Sequence, residues 1–315
     1  MRRVLLADRG TPRGGPWRQA VDHEVDGEYL RVWERPAHPA HPVHPAHPAH
    51  LTHPAQGRLA LADQGRAVVL VHGFEESWKD WQALTRYLPA DLRLFALDLP
   101  WRSGSRHLWA DRGASTAWLE RALELLPVRP DAVVAHSFGA STQLELLTRR
   151  APGASVPTVL VAPVFRPHDQ PVDARFFHEA IGRFRGVLAD GLRAQLGPRA
   201  EKIPDDIVEA MIGKVRERVE PHGFLQFYVT LGRGPGLALH RIEAPVLLVS
   251  GTHDPSAPPS AIDALMASIP DVRLHQDPGL THFCQLEQPA QVAEHVIAFL
   301  KATSPHHYAK EAISA

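Results

Sequence analysis

Cysteine is nearly absent from this sequence, and so are long apolar runs and any excess of charge of one sign. The single cysteine, Cys284, excludes a disulfide within the chain and is typical of a reducing compartment. No run approaches the roughly 18 apolar residues that cross a bilayer, and the apolar residues before Asp8 are too few for a signal peptide. A net charge of −1 gives no long-range field for nucleic acid or anionic lipid. We expect a cytoplasmic protein with a small-molecule partner, no nucleic acid and no membrane.

The composition is that of a soluble globular protein. Hydrophobic residues make up 44% and charged residues 22% of the 315 positions, enough for one or two domains with a large core. Either a monomer or a homodimer is compatible with this composition.

A tract rich in histidine and proline interrupts the chain at residues 36–55. Its histidines recur at every third position, and the prolines between them exclude a helix and favour polyproline II; they are His38, His41, His44, His47, His50 and His53. Six imidazoles along one edge form a plausible chelator for Zn or Ni. Because no nearby cysteine or carboxylate completes a defined site, we interpret the tract as an insertion in a surface loop. We predict neither a resident metal nor a cofactor.

Short apolar runs alternate with amphipathic stretches through the rest of the chain. The expected strands lie in the segments 23–35 (a hairpin around Asp26-Gly27), 66–73, 92–100, 131–137, 156–163, 244–251 and 272–276. Such alternation predicts an α/β fold with a mostly parallel central sheet covered by helices on both faces. Helical periodicity at 165–240 interrupts it, which predicts a helical cap inserted before the penultimate strand, above the carboxyl ends of the strands.

These patterns divide the chain as follows. We expect a poorly ordered segment at 1–20, an α/β core at 21–164 and 241–302, the cap at 165–240 and a tail at 303–315.

The stretch DAVVAHSFGAST carries the first chemical signal. An apolar run reaches Ser137 and then Gly139, a pattern that indicates either a helix N-cap or a nucleophile on a sharp strand-to-helix turn. A serine hydroxyl needs a base within hydrogen-bond reach, and that base needs a carboxylate to orient it. Asp254 follows the strand PVLLVSG and His282 follows the last strand, in PGLTHFCQ. The order Ser, Asp, His favours the nucleophile.

With these motifs, the chain resembles the α/β-hydrolase superfamily from about residue 21 to 302. VHGF at 71–74 resembles the oxyanion loop, GTHDPSAP the acid loop and LTHF the histidine loop. The resemblance implies Ser137, Asp254 and His282 as the catalytic residues. It also implies the backbone amides of Phe74 and Phe138 as oxyanion donors, with His72 orienting the oxyanion loop.

The sequence departs from the family pattern at two places. Ala135 replaces the first glycine of G-x-S-x-G, which costs one methyl group in a tight place. In DLPWRSGS, Trp101 and Ser103 replace two glycines, so we predict Trp101 and Arg102 at the pocket mouth, with a purely structural change in the loop as the alternative. Asp98 in this loop is a rival acid whose position is structural in the family.

We predict structural roles for the residues that adjoin the triad in the sequence. His136 and His253 each adjoin a triad residue, but adjacent residues on a strand point to opposite faces. Cys284 is interpreted as a small buried residue.

A serine nucleophile favours hydrolysis of a carboxylic ester or thioester through an acyl-enzyme intermediate. Aromatic residues of the cap suggest an apolar acyl pocket, and we predict Phe224, Phe227 and Tyr228 as contacts because Pro221 and Gly223 break the helix before them. Two alternatives stay open. One is biosynthetic acyl transfer or cyclisation with the same triad, and the other is a non-catalytic ligand-binding protein on the same scaffold.

Overall fold

Apolar strands near the middle of the chain build the centre of one sheet. The structure, a computed structural model, describes residues 15–25, 27–38, 65–105, 107–151 and 153–304. Within these ranges eight strands pair in the order β1-β2-β4-β3-β5-β6-β7-β8. They are β1 (Arg18–Val25), β2 (Glu28–Arg35), β3 (Ala67–Val71), β4 (Arg93–Asp98), β5 (Ala132–His136), β6 (Thr158–Val161), β7 (Val246–Gly251) and β8 (Val272–Asp277). Strands β3 to β8 run parallel to one another, whereas β1 pairs antiparallel with β2 and β2 pairs antiparallel with β4, which confirms the mostly parallel sheet.

Helices cover the sheet on both faces because the central strands are apolar on both sides. In β3, Val69 and Val71 belong to one hydrophobic cluster, while Val68 and Leu70 belong to the other. This is the pattern of a parallel strand buried on both faces. The α-helices outside the cap are α1 (Gln82–Thr85), α2 (Ser115–Glu124), α3 (Ser137–Arg149), α7 (Pro259–Ser268), α8 (Cys284–Glu287) and α9 (Pro289–Ala302). Helices α2, α3 and α7 contribute to the first cluster, and α1 and α9 contribute to the second.

The predicted hairpin forms the antiparallel edge of the sheet. Gly27 has a φ of +77°, the left-handed conformation that its turn requires. Strand β1 begins at Arg18, so the last residues of the segment expected to be poorly ordered belong to the hairpin. Residues 1–14 of that segment, residues 39–55 of the histidine tract and residues 305–315 of the tail lie outside the described ranges.

A helical segment leaves the sheet after β6 and returns before β7, as predicted. Its α-helices are α4 (Ala174–Leu196), α5 (Asp205–Val219) and α6 (Leu225–Arg233). The segment packs on loops at the carboxyl ends of the strands, since Phe184 of α4 contacts the Phe74 ring at a centroid distance of 5.9 Å. Arg218 of α5 donates to the carboxylate of Glu75 at 3.0 Å. None of the helices in the described ranges combines the length and apolar composition needed to span a bilayer.

Candidate active site

A sharp turn between β5 and α3 presents Ser137. The strand ends at His136 and the helix begins at the next residue, where φ is 51°. A left-handed conformation at a residue other than glycine costs about 1–3 kcal/mol and is retained mostly at functional positions. Gly139 packs so closely that a Cβ there would lie 2.3 Å from the carbonyl oxygen of His72. The turn therefore requires glycine at 139, whereas the methyl group of Ala135 is buried in the core.

Ser137, His282 and Asp254 form one hydrogen-bonded chain. The Oγ of Ser137 lies 2.9 Å from Nε2 of His282, and Nδ1 of His282 lies 2.7 Å from Oδ2 of Asp254. The three residues are 5%, 7% and 3% exposed, so water has little access to these bonds. With the Nδ1 proton directed at Asp254, Nε2 accepts the hydroxyl proton of Ser137. His136 occupies the N-cap position of α3, so the alternative interpretation of Ser137 as an N-cap is wrong.

The environment of Asp254 favours its ionised form. Burial opposes ionisation, but His282 and the amide of Ser256, which donates to Oδ1 at 2.8 Å, outweigh it and hold the pKa of Asp254 below its usual value. Asp254 and His282 reach the site because each follows a parallel strand, β7 and β8, and parallel strands deliver their carboxyl ends to one edge.

His72 fixes the peptide that joins Gly73 to Phe74. Its Nδ1 donates to the carbonyl oxygen of Gly73 at 2.7 Å, and its Nε2 accepts the amide of Leu99 at 2.9 Å. Both bonds require a neutral ring, and burial lowers the pKa of His72 accordingly. In a trans peptide the N–H points opposite to the C=O, so the bond to the Gly73 carbonyl also sets the direction of the Phe74 amide.

Neither predicted oxyanion donor has a hydrogen-bond acceptor in the part of the chain that the structure describes. Within the described residues the amide of Phe74 has no hydrogen-bond acceptor. Phe138 is the second residue of α3, and the first amides of a helix have no partner within it.

The rival acid and the flanking histidines lie apart from the proton path. Asp98 is buried at the end of β4, and its Oδ1 has no hydrogen-bond partner among the described residues. His253 is exposed beside Asp254.

Cys284 is buried, as predicted. Burial raises the pKa of its thiol to about 12, so the thiol is un-ionised at neutral pH.

The structure places Trp101 inside the core instead of at a pocket mouth. Its side chain is fully buried, packs against Trp109 and Phe138, and donates from the indole nitrogen to the His72 carbonyl at 3.2 Å. Trp101 therefore packs beneath the oxyanion loop and supports it. The predicted position at the pocket mouth is wrong, and the alternative, a purely structural change in the loop, fits the structure.

The cap aromatics pack against one another. Phe224 contacts Phe177, Phe184 and Tyr228, and Phe227 contacts Phe184, with centroid distances of 5.3–5.7 Å. The break in the helix predicted at Pro221 and Gly223 is wrong, because Glu220–Phe224 forms a π-helical turn that continues into α6. Gly223 sits where a Cβ would lie 2.8 Å from the Phe74 ring. The turn thus brings the cap onto the oxyanion loop.

Two cavities adjoin the site. A groove of about 400 Å³ runs beside His282 between α4 and the acid loop, and its polar lining includes Asp190, Arg193 and His253. A cavity of about 50 Å³ lies between α4 and Phe74, with a lining that combines apolar residues such as Leu188 and Phe283 with the polar residues Glu75 and Glu76.

Glu76 and Gln285 are site residues that sequence reasoning missed. Both are buried and hydrogen-bonded beneath the triad, where Glu76 pairs with His136. The available signal was the position of Glu76 four residues after His72, just beyond the VHGF motif.

The chain belongs to the alpha/beta hydrolase family, whose model matches residues 68–295. It is 29% identical over 254 residues to the pimeloyl-[acyl-carrier protein] methyl ester esterase of Aromatoleum aromaticum, covering 72% of this chain and 94% of the relative. The protein of the same name from Nitrosospira multiformis is 25% identical over 257 residues, covering 76% of this chain and 95% of the relative. The fold is also similar to that of a bromoperoxidase from Bacillus anthracis, with a TM-score of 0.61, 16% identity and coverage of 90% and 100% of the two chains. That structural likeness concerns the fold alone.

Proposed function

We propose that this chain is a serine hydrolase that cleaves a small-molecule carboxylic ester or thioester, through an acyl-enzyme intermediate on Ser137. The observation that carries the proposal is the buried chain from Ser137 Oγ to His282 (2.9 Å) and on to Asp254 (2.7 Å). A non-catalytic binder has no need for a strained serine aligned with a base and an acid. This favours an enzyme over the binding-protein alternative.

In the proposed reaction, Ser137 Oγ attacks the substrate carbonyl carbon as its proton passes to His282 Nε2. Asp254 stabilises the imidazolium that results. The amides of Phe74 and Phe138 donate to the oxyanion of the tetrahedral intermediate. The intermediate collapses as the carbon–oxygen or carbon–sulfur bond breaks, and His282 gives its proton to the leaving alcohol or thiol. Water then repeats the sequence on the acyl-enzyme and releases the acid.

The nature of the relatives and of the cavities narrows the proposed substrate. Two relatives carry the name of a methyl ester esterase, which supports an ester ahead of a thioester. We assign an apolar acyl group to the side of the site where Phe74, Leu188 and Phe283 supply the apolar part of the small cavity's lining. The leaving group is assigned to the groove beside His282, because this residue must protonate it.

Turnover of a matched substrate panel tests the proposal. The panel holds p-nitrophenyl acetate, butyrate and octanoate, a methyl ester and the corresponding thioesters, each assayed with the wild-type protein and with Ser137→Ala. Ser268→Ala, an exposed serine at the end of α7, is the control. We expect the wild type and the control to turn over at least one ester and Ser137→Ala to lose nearly all of it. Equal turnover by Ser137→Ala, or none by the wild type on any substrate, would overturn the proposal.

A further inference from the structure

A buried ion pair lies directly beneath the triad and takes no part in the proposed proton transfers. Nδ1 of His136 lies 2.7 Å from Oε1 of Glu76, and the side chains are 0% and 2% exposed. Removing two charges from water carries a desolvation penalty that an isolated pair often fails to recover. The pair therefore needs further hydrogen-bond partners that stabilise the two buried charges.

Those partners are backbone groups of the two loops that carry the reacting atoms. The Nε2 of His136 donates to the carbonyl oxygen of His282 at 2.8 Å. The other end of the pair, Oε2 of Glu76, accepts the amide of Gly73 at 2.7 Å. Gln285 adds a donor to Oε1 of Glu76 at 3.1 Å. The pair thus connects the backbone of His282, the proposed general base, to the backbone of Gly73, which precedes Phe74.

The charge state fits these bonds. Burial by itself would lower the pKa of His136, but Glu76 outweighs it and the pKa is raised. Burial opposes ionisation of Glu76, yet His136 and the Gly73 amide hold its pKa below the usual value. An imidazolium has two N–H donors, whereas a neutral ring has one. Only the charged ring donates to Glu76 and to His282 at the same time.

We propose that Glu76 and His136 are positioning residues that fix the backbone of His282 against the oxyanion loop. The inference rests on the proposed function and deepens it. Their charges cancel, so the pair leaves little net field at the neighbouring His282 ring, whose centroid lies 5.2 Å from that of His136. The two ties are the bond from His136 to the His282 carbonyl and the bond from the Gly73 amide to Glu76. Since a misplacement of about 1 Å can cost roughly 100-fold in rate, removing these two ties should lower kcat.

The test compares two ways of removing the charges. The double variant Glu76→Leu/His136→Phe fills the space with apolar side chains, a type of replacement that often preserves stability, and it removes both ties. Glu76→Gln is the matched control, because its amide oxygen accepts from Gly73 and its amide nitrogen donates to a neutral His136, which still donates to His282. We expect kcat for an ester to fall about 10- to 100-fold in the double variant with KM within threefold. In Glu76→Gln, kcat should stay within about fivefold of the wild type.

Melting temperature and the rate of Ser137 labelling by a fluorophosphonate are measured alongside. A folded double variant with wild-type kcat and labelling rate would overturn the inference and leave the proposed function intact. A wild-type protein that neither turns over nor labels would overturn both. If the double variant does not fold, His136→Gln provides the same decision. Its single amide nitrogen cannot replace both ring nitrogens, so the connection from Glu76 to the His282 carbonyl is broken at one end, and a kcat equal to the wild type would overturn the inference.

Discussion

At Ser137 a strained backbone and a hydrogen bond to His282 occur together. Strain of this kind persists only where the surrounding structure enforces it, and here Gly139 packed under the His72 carbonyl does so. Ser137→Ala and His282→Ala should each remove nearly all esterase turnover and leave the fold intact. Residues that act as one unit give non-additive losses, so the double variant should be little worse than either single. Steady-state kcat with circular dichroism checks this, and additive losses would contradict a shared mechanism.

Asp254 is hydrogen-bonded to His282, and Asp98 lies apart from both residues at the end of β4. Asp254→Asn should lower kcat by about 10⁴-fold, because an amide at 254 turns His282 to the wrong tautomer. Asp98→Asn is the comparison variant, because Asp98 is a buried carboxylate at the end of another strand, β4. Its kcat should change by less than about tenfold. The acid assignment would be wrong if a folded Asp98→Asn protein lost more activity than Asp254→Asn.

At the scale of secondary-structure elements, the cap aromatics hold α4 against α6. Phe227 is 5% exposed and packs on Phe184, whereas Phe177 in the same cluster is 41% exposed. Phe227→Ala should lower the free energy of unfolding by about 3 kcal/mol, and Phe177→Ala should lower it less. Neither should alter the relative kcat/KM across acyl chain lengths. A shift of about tenfold in chain-length preference without a loss of stability would instead make Phe227 a substrate contact, as the sequence suggested.

The helical turn after the oxyanion loop carries a carboxyl group that responds to pH. Burial, followed by repulsion from Glu76, raises the pKa of Asp80 to about 7, although Ser77 and His136 act in the opposite direction. Between about pH 4 and pH 7 the folded state therefore keeps a proton that the unfolded state has lost. The free energy of unfolding should fall as pH rises through this range.

Asp80→Asn removes that dependence, since asparagine cannot ionise but keeps an acceptor for the amide of Ser77, which donates to Asp80 at 2.6 Å. Relative to the wild type, the free energy of unfolding of the variant should rise by about 2–3 kcal/mol between pH 5 and pH 7.5. Urea unfolding at the two pH values measures this difference. Identical pH slopes for the two proteins would show that Asp80 ionises normally.

Across the whole molecule, local patterns predicted the sheet and the three residues Ser137, Asp254 and His282, whose side chains the structure brings together. Valine-rich runs such as VVLV form buried parallel strands wherever they occur, and strand ends bring their loops together. The packing of Trp101 and of the cap aromatics could not be predicted from local sequence patterns, because an aromatic side chain is equally common in a core and in a pocket. The pairing of Glu76 with His136 depends on a contact between residues 60 positions apart. Such a contact cannot be predicted from local periodicity.

Formation of an acyl-enzyme on Ser137 tests the central claim most directly. The wild-type protein and Ser137→Ala are mixed rapidly with p-nitrophenyl butyrate, and the quenched protein is digested and mapped by mass spectrometry. We predict a burst of p-nitrophenol close to one equivalent of wild-type protein, with a butyryl group on the peptide that contains Ser137. Ser137→Ala should give neither the burst nor the adduct. Turnover by the wild type with the adduct on another residue, or a burst that survives in Ser137→Ala, would contradict the account.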